Sequence, residues 1–186
     1  RTITFANGVK LNLKKTDFEA GNIRYSMRVG SGTLAMPKDK PGLGMYINTA
    51  FTEGGLKAHS SEELNSILAG RWVGRGLAVS SDAFVSSGAT IPSDLTLQMQ
   101  LLAAQLTAPG YRPEADAKWQ GFVPILDGRL KAEAMSVAQR NLSRIAANGD
   151  PRFGIPAAVD LLKRNGTEAQ AILTPQLTNG PIEIAL

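Results

Sequence analysis

Cysteine is absent from the 186 residues, so the chain can have no disulfide framework, no thiolate nucleophile and no cysteine metal cluster. Histidine occurs once, at His59, so a metal site would have to be built mostly of carboxylates or borrow ligands from another chain. No apolar run approaches the ~20 residues needed to cross a bilayer, and this excludes a helical membrane span. The sequence has neither an internal repeat nor a low-complexity linker. Its net charge of +4 comes from Lys and Arg scattered along the chain, without the basic stripe that nucleic-acid binding needs.

What is present is the composition of an ordinary soluble globular protein, 43% hydrophobic and 19% charged. The length fits one well-buried core, so residues 1–186 are expected to form a single domain. Arg1 leads straight into strand-like sequence, and "GPIEIAL" stops inside another such pattern. The domain is therefore expected to be a fragment of a longer chain.

Ile3 and Phe5 alternate with polar neighbours, Asn7-Gly8 supplies a turn, and Val9, Leu11 and Leu13 resume the alternation, which predicts a hairpin. "IRYSMRV" at 23–29 puts Ile23, Tyr25, Met27 and Val29 on one face, with Arg24, Ser26 and Arg28 on the solvent face. Residues 43–53 read as an apolar helix stopped by Gly54-Gly55. Ser60 and Glu63 have the spacing of a capping box, which opens a second helix running to about Gly70. Residues 72–80 and 83–91 read as two antiparallel strands around Ser81-Asp82. Leu95, Met99, Leu102 and Leu106 then mark a helix that starts after Pro92. A helical region over 114–148 is expected to break near Gly121 and Pro124, and a last helical stretch covers about 157–163. A mixed segment leads to a terminal strand from Pro181. This order indicates an α+β fold in two layers, an antiparallel sheet with helices on one face.

The candidate chemistry is thin. His59 reads as a solvated loop residue. "GSG" at 30–32 and "VGRG" at 73–76 lack the remaining residues of a phosphate loop. Ser80, Ser81, Ser86 and Ser87 lie outside any nucleophile elbow, and on strands they are expected to face solvent. Trp72 and Trp119 sit on separate elements and read as packing residues rather than a platform for stacked bases. The helix at 43–53, flanked by "PGLG" and "GG", is either a packing helix or an active-site helix without its working groups.

The order of "FANGVKLNLKKTDFEAGNIRYSMRVGSGTLAMPKDKPGLGMYINTAFTEGGLKAHSSEELNSILAG", "SDLTLQMQLLAAQLTAPGYRPEAD", "DPRFGIP" and "LTNGPIEIAL" covers nearly the whole chain. It resembles the opening of a half from the pitrilysin/insulinase family of zinc metallopeptidases, to which mitochondrial processing peptidase is also similar. The resemblance implies a processing-peptidase-like half domain and places an H-x-x-E-H zinc motif on the helix at 43–53. With Phe51 set against the phenylalanine that usually follows the motif, Gly44, Ile47 and Asn48 fall at the first histidine, the glutamate and the second histidine. None of the three can take over its role: glycine has no side chain, isoleucine moves no proton, and an asparagine amide is a poor zinc ligand. Where the family's third ligand, a glutamate, would come, "GFVPILDG" offers only Asp127.

By this resemblance the chain is a non-catalytic second-half domain, with no catalytic residue, no metal ligand and no cofactor of its own. Its substrate-binding residues are unassigned. Zinc is expected in a partner catalytic half, on the same polypeptide or a paired subunit, and the two would enclose a peptide substrate. The resemblance also implies a periplasmic location; the lack of cysteine fits periplasm and cytoplasm alike. The alternative is a non-proteolytic structural or interaction subunit derived from the same family, and an upstream H-x-x-E-H in the full-length gene would separate the two.

Overall fold

A computed structural model describes residues 1–132 and 134–186. Six strands form one sheet in the order β1-β2-β6-β3-β5-β4: β1 (Thr2–Thr4), β2 (Lys10–Asn12), β3 (Ile23–Val29), β4 (Ala78–Val79), β5 (Phe84–Thr90) and β6 (Ile182–Ala185). The helices are α1 (Leu43–Glu53), α2 (Ser61–Ile67), α3 (Leu95–Thr107), α4 (Pro113–Ala132), α5 (Ala134–Ala146), α6 (Ala158–Leu161) and α7 (Gly166–Asn179).

The α+β class is as the sequence predicts. The sheet, however, is mixed rather than antiparallel. β1 and β2 form the expected hairpin; Gly8 takes φ 85° and Gly8 N donates to Phe5 O at 2.9 Å. β3 pairs antiparallel with β5 along its whole length, Val29 lying opposite Phe84 and Ile23 opposite Thr90. β6 inserts between β2 and β3, antiparallel to β3 but parallel to β2, with Leu11 opposite Ile184. Hairpins dictate antiparallel neighbours, but β6 returns through a helical connection, so its direction follows the route of that crossover.

The pleat sorts the two faces. Tyr25, Met27, Val29, Phe84 and Ser86 are buried under the helices, whereas Arg24 and Glu183 face solvent. The main core joins Val29 and Phe84 of the sheet to Tyr46, Ile47 and Phe51 of α1, Trp119 and Val123 of α4, and Leu173 and Leu177 of α7. Each large side chain enclosed there contributes about 1.5–3 kcal/mol of apolar burial.

Three other expectations are corrected. First, α4 runs unbroken through Gly121 and Pro124. Ala115, Trp119 and Val123 form its buried stripe, while Gln120 and Pro124 lie exposed, so water can serve the carbonyl that the proline leaves unpaired. Second, the segment expected to be mixed is the helix α7, despite Pro175. Asn165 caps it by accepting from Glu168 N at 3.0 Å, and Ala169, Leu173 and Leu177 bury one side. The helical stretch expected over about 157–163 shrinks to α6. Third, the strand expected over 72–80 contracts to β4. Upstream of it, Gly74 N donates to Gln98 Oε1 at 2.7 Å and Gln98 Nε2 donates back to Gly74 O at 3.0 Å. Trp72 N donates to Asp94 Oδ2 at 2.8 Å. Side chains thus take the backbone groups that a sheet partner would have used.

Candidate functional site

The helix singled out by the sequence forms over the predicted residues. Gly42 precedes α1 with φ 84°, Gly54 caps it, and Gly55 follows at φ 63°, where an added β-carbon would lie 2.6 Å from His59 O. Two positive-φ glycines therefore fix its ends sharply.

Of the three positions that the resemblance sets against the zinc motif, two are engaged in packing and one has no side chain. Gly44 faces β4: a β-carbon there would sit 3.6 Å from Val79 Cγ1, at ordinary contact distance. Ile47 is 0% exposed and lies in the main core. Asn48 is exposed, but its Oδ1 accepts from Val79 N at 2.6 Å. Asn48 therefore holds the last strand of the sheet, residue 47 anchors the helix, and Gly44 lies beside β4 with room for a methyl group. A zinc ion does not fit this donor set, which consists of no side chain, a hydrocarbon and an amide oxygen already in use.

The other candidates are dispersed. Asp127 on α4 pairs with Lys131 at 2.6 Å and Arg140 at 3.8 Å. His59 lies on the loop before α2, half exposed, with Nδ1 4.0 Å from Glu63 Oε2. Among the described residues, no three His, Cys, Asp or Glu side chains group as they would around a metal ion. Ser81 and Ser87 face solvent as expected, but Ser86 is buried on the inner side of the sheet at 1% exposure. Position parity along β5 carries that signal, since Ser86 shares a face with Phe84.

Both glycine-rich stretches are filled by the chain itself. Ser31 N donates to Gln176 Oε1 at 2.9 Å, and a β-carbon at Gly30 would collide with that oxygen at 2.5 Å. In "VGRG", Gln98 occupies the backbone of Gly74. Trp119 is fully buried and donates from Nε1 to Leu161 O at 2.8 Å, with its ring edge-on to Tyr46; Trp72 is 59% exposed.

Residues that the sequence did not single out hold the site in place. Tyr46 Oη donates to Asp116 Oδ1 at 2.5 Å, and Gly166 N donates to the same oxygen at 2.8 Å, so one carboxylate joins α1, α4 and α7. Burial first, and then the Asp116 carboxylate, raise the Tyr46 hydroxyl well above the ordinary tyrosine range, so it remains a donor. A cavity of about 540 Å³ lies elsewhere, lined among others by Lys14, Thr16, Phe18, Ile23, Tyr25 and Leu186; no residue of α1 reaches it.

No family model and no curated protein matches the chain. Solved structures do. A protease from Helicobacter pylori superposes with a TM-score of 0.79 at 11% identity, over 100% of this chain and 45% of that one. The periplasmic protease PqqL from Escherichia coli gives 0.76 at 13% identity, over 100% of this chain and 22% of that one. The ferredoxin protease FusC, in complex with Arabidopsis ferredoxin, gives 0.76 at 12% identity, over 99% of this chain and 20% of that one. The chain thus spans between a fifth and just under half the length of the proteases it superposes on. Its fold is that of a domain from such proteases, as expected of a half-domain resembling the pitrilysin group.

Proposed function

We propose that the chain is a catalytically inactive domain of a zinc-dependent metallopeptidase, a piece of a longer polypeptide or assembly in which a zinc-bearing half performs hydrolysis. This domain would supply part of the wall of a chamber around the peptide substrate. The observation that carries this reading is the use of α1: Ile47 serves the core, Asn48 holds β4 and Gly44 offers no side chain, inside a fold shared with proteases. A periplasmic location is part of the proposal, and it is supported by the likeness to PqqL, described as a periplasmic protease. No helix among the described residues is long and apolar enough to cross a membrane.

Calorimetric titration with zinc, combined with a peptide-cleavage assay on the 186-residue chain, tests the proposal. The expected outcome is neither stoichiometric zinc binding nor chelator-sensitive turnover. Tight binding of one zinc ion per chain, or cleavage abolished by a chelator, would refute it. Where the zinc-bearing half belongs to the same polypeptide, the gene upstream of Arg1 should encode an H-x-x-E-H motif followed by a downstream glutamate.

A further inference from the structure

An edge strand is where a foreign strand begins to pair, because its outward N–H and C=O groups lack partners. At β4 this outward position belongs to Val79. Ser80 N donates to Ala83 O at 2.9 Å, so antiparallel alternation turns the backbone groups of Ala78 and the Ser80 N–H toward β5 and the groups of Val79 away from the sheet. Asn48 Oδ1 meets Val79 N there at 2.6 Å. A primary amide has the same acceptor chemistry as a peptide carbonyl, so Asn48 fills the place of an adjacent strand's oxygen. The hairpin that follows is held as well: Thr33 N and Thr33 Oγ1 donate to Ser80 O at 2.8 and 3.0 Å. At the far edge, by contrast, β1 turns the backbone groups of Thr2 and Thr4 outward, since Phe5 N donates to Val9 O and Leu13 N to Arg1 O across the hairpin.

We propose that Asn48 closes the β4 edge against an extended peptide by occupying the outward N–H of Val79. The residue thus has a positive task, one that does not depend on how the domain is used in a larger protein. Asn48→Asp keeps an acceptor at this position, and Asn48→Ala removes it.

The test uses the full ¹⁵N-labelled chain, amide hydrogen exchange, and an end-blocked heptapeptide of alternating threonine and valine as probe. Val79 is expected to exchange slowly in the wild type and in Asn48→Asp, and about tenfold faster in Asn48→Ala, the effect of losing one hydrogen bond. The Ser80 amide should be unchanged. The peptide should shift the Val79 resonance only in Asn48→Ala. Unprotected Val79 in the wild type, an equal peptide shift in wild type and Asn48→Ala, or fast exchange in Asn48→Ala without a peptide shift would each overturn the proposal. Should Asn48→Ala fail to fold, Val79 in the wild type and Asn48→Asp decides: protection without a peptide shift supports closure, and a peptide shift overturns it.

Discussion

Tyr46 and Asp116 are joined by a 2.5 Å hydrogen bond between α1 and α4, and the same Asp116 oxygen accepts the Gly166 amide at the start of α7. Three helices thus converge on one carboxylate, and the Tyr46 ring that reaches it stands edge-on to the buried Trp119. Tyr46→Phe leaves Asp116 its Gly166 donor and should cost about 1–2 kcal/mol. Asp116→Ala strands both the hydroxyl and the amide and should cost more, about 2–4 kcal/mol. Urea unfolding of the two variants measures the difference; equal losses would show that the two donors do not share the carboxylate.

Ile47→Glu would introduce the residue type that the zinc motif of the resembled family carries here, yet the side chain would enter a core where Ile47 has 0% exposure. A carboxylate there has no partner and must be desolvated or protonated, so the variant should lose at least about 3 kcal/mol or fail to fold. Ile47→Val, which keeps the hydrocarbon, should cost about 0.5–1.5 kcal/mol. Thermal denaturation of both, followed by circular dichroism, checks the contrast. A melting temperature for Ile47→Glu close to that of Ile47→Val would mean that the interior beneath α1 is open to water.

Gln98 is fully buried and serves both backbone groups of Gly74. Gln98→Met preserves volume but leaves an N–H and a C=O without partners, and a loss of about 2–4 kcal/mol is expected. Proteolytic susceptibility near residues 72–76 should rise with it. Unaltered stability would show that water replaces the amide at no cost.

Asp150 responds to acid. Its carboxylate accepts from the Arg152 side chain, with Nη2 at 2.7 Å, and from Arg152 N at 3.0 Å; these bonds lower its pKa from 3.8 to about 2. A depressed carboxylate stabilises the fold above its unfolded pKa and loses that contribution as protons bind, here as the pH falls from about 4 to about 2. The gap in melting temperature between the wild type and Asp150→Asn should therefore be widest near neutrality and close over that acid interval. A constant gap would assign the effect of the substitution to packing.

The Ser60–Glu63 capping box forms as the spacing implies: Glu63 N donates to Ser60 Oγ at 3.1 Å and Ser60 N to Glu63 Oε2 at 2.7 Å. Ser60→Ala should cost about 1 kcal/mol, measured by chemical denaturation. Ser60→Asp should retain most of the stability, because the aspartate still accepts at the helix N-terminus.

The sequence by itself determined whatever is decided within a few residues. Asn7-Gly8 makes its hairpin, β3 alternates faces, the glycines bound α1, and the capping box opens α2, because turn conformation, pleat and capping are local preferences. That Gly44, Ile47 and Asn48 are unsuited to hold a metal ion was equally legible, since it depends on side-chain type alone. Tertiary structure decided the rest. The parallel pairing of β2 with β6 depends on the route of the chain between them, and Pro124 stays helical because Trp119 and Val123 on the opposite side are buried. "RWVGRG" departs from the sheet because Gln98 and Asp94, some twenty residues later, take its amides. Likewise, the composition of α1 shows that Asn48 is a poor metal ligand, but only the approach of β4 gives its amide a peptide N–H to hold, because a hydrogen bond exists only where folding brings donor and acceptor within about 3 Å.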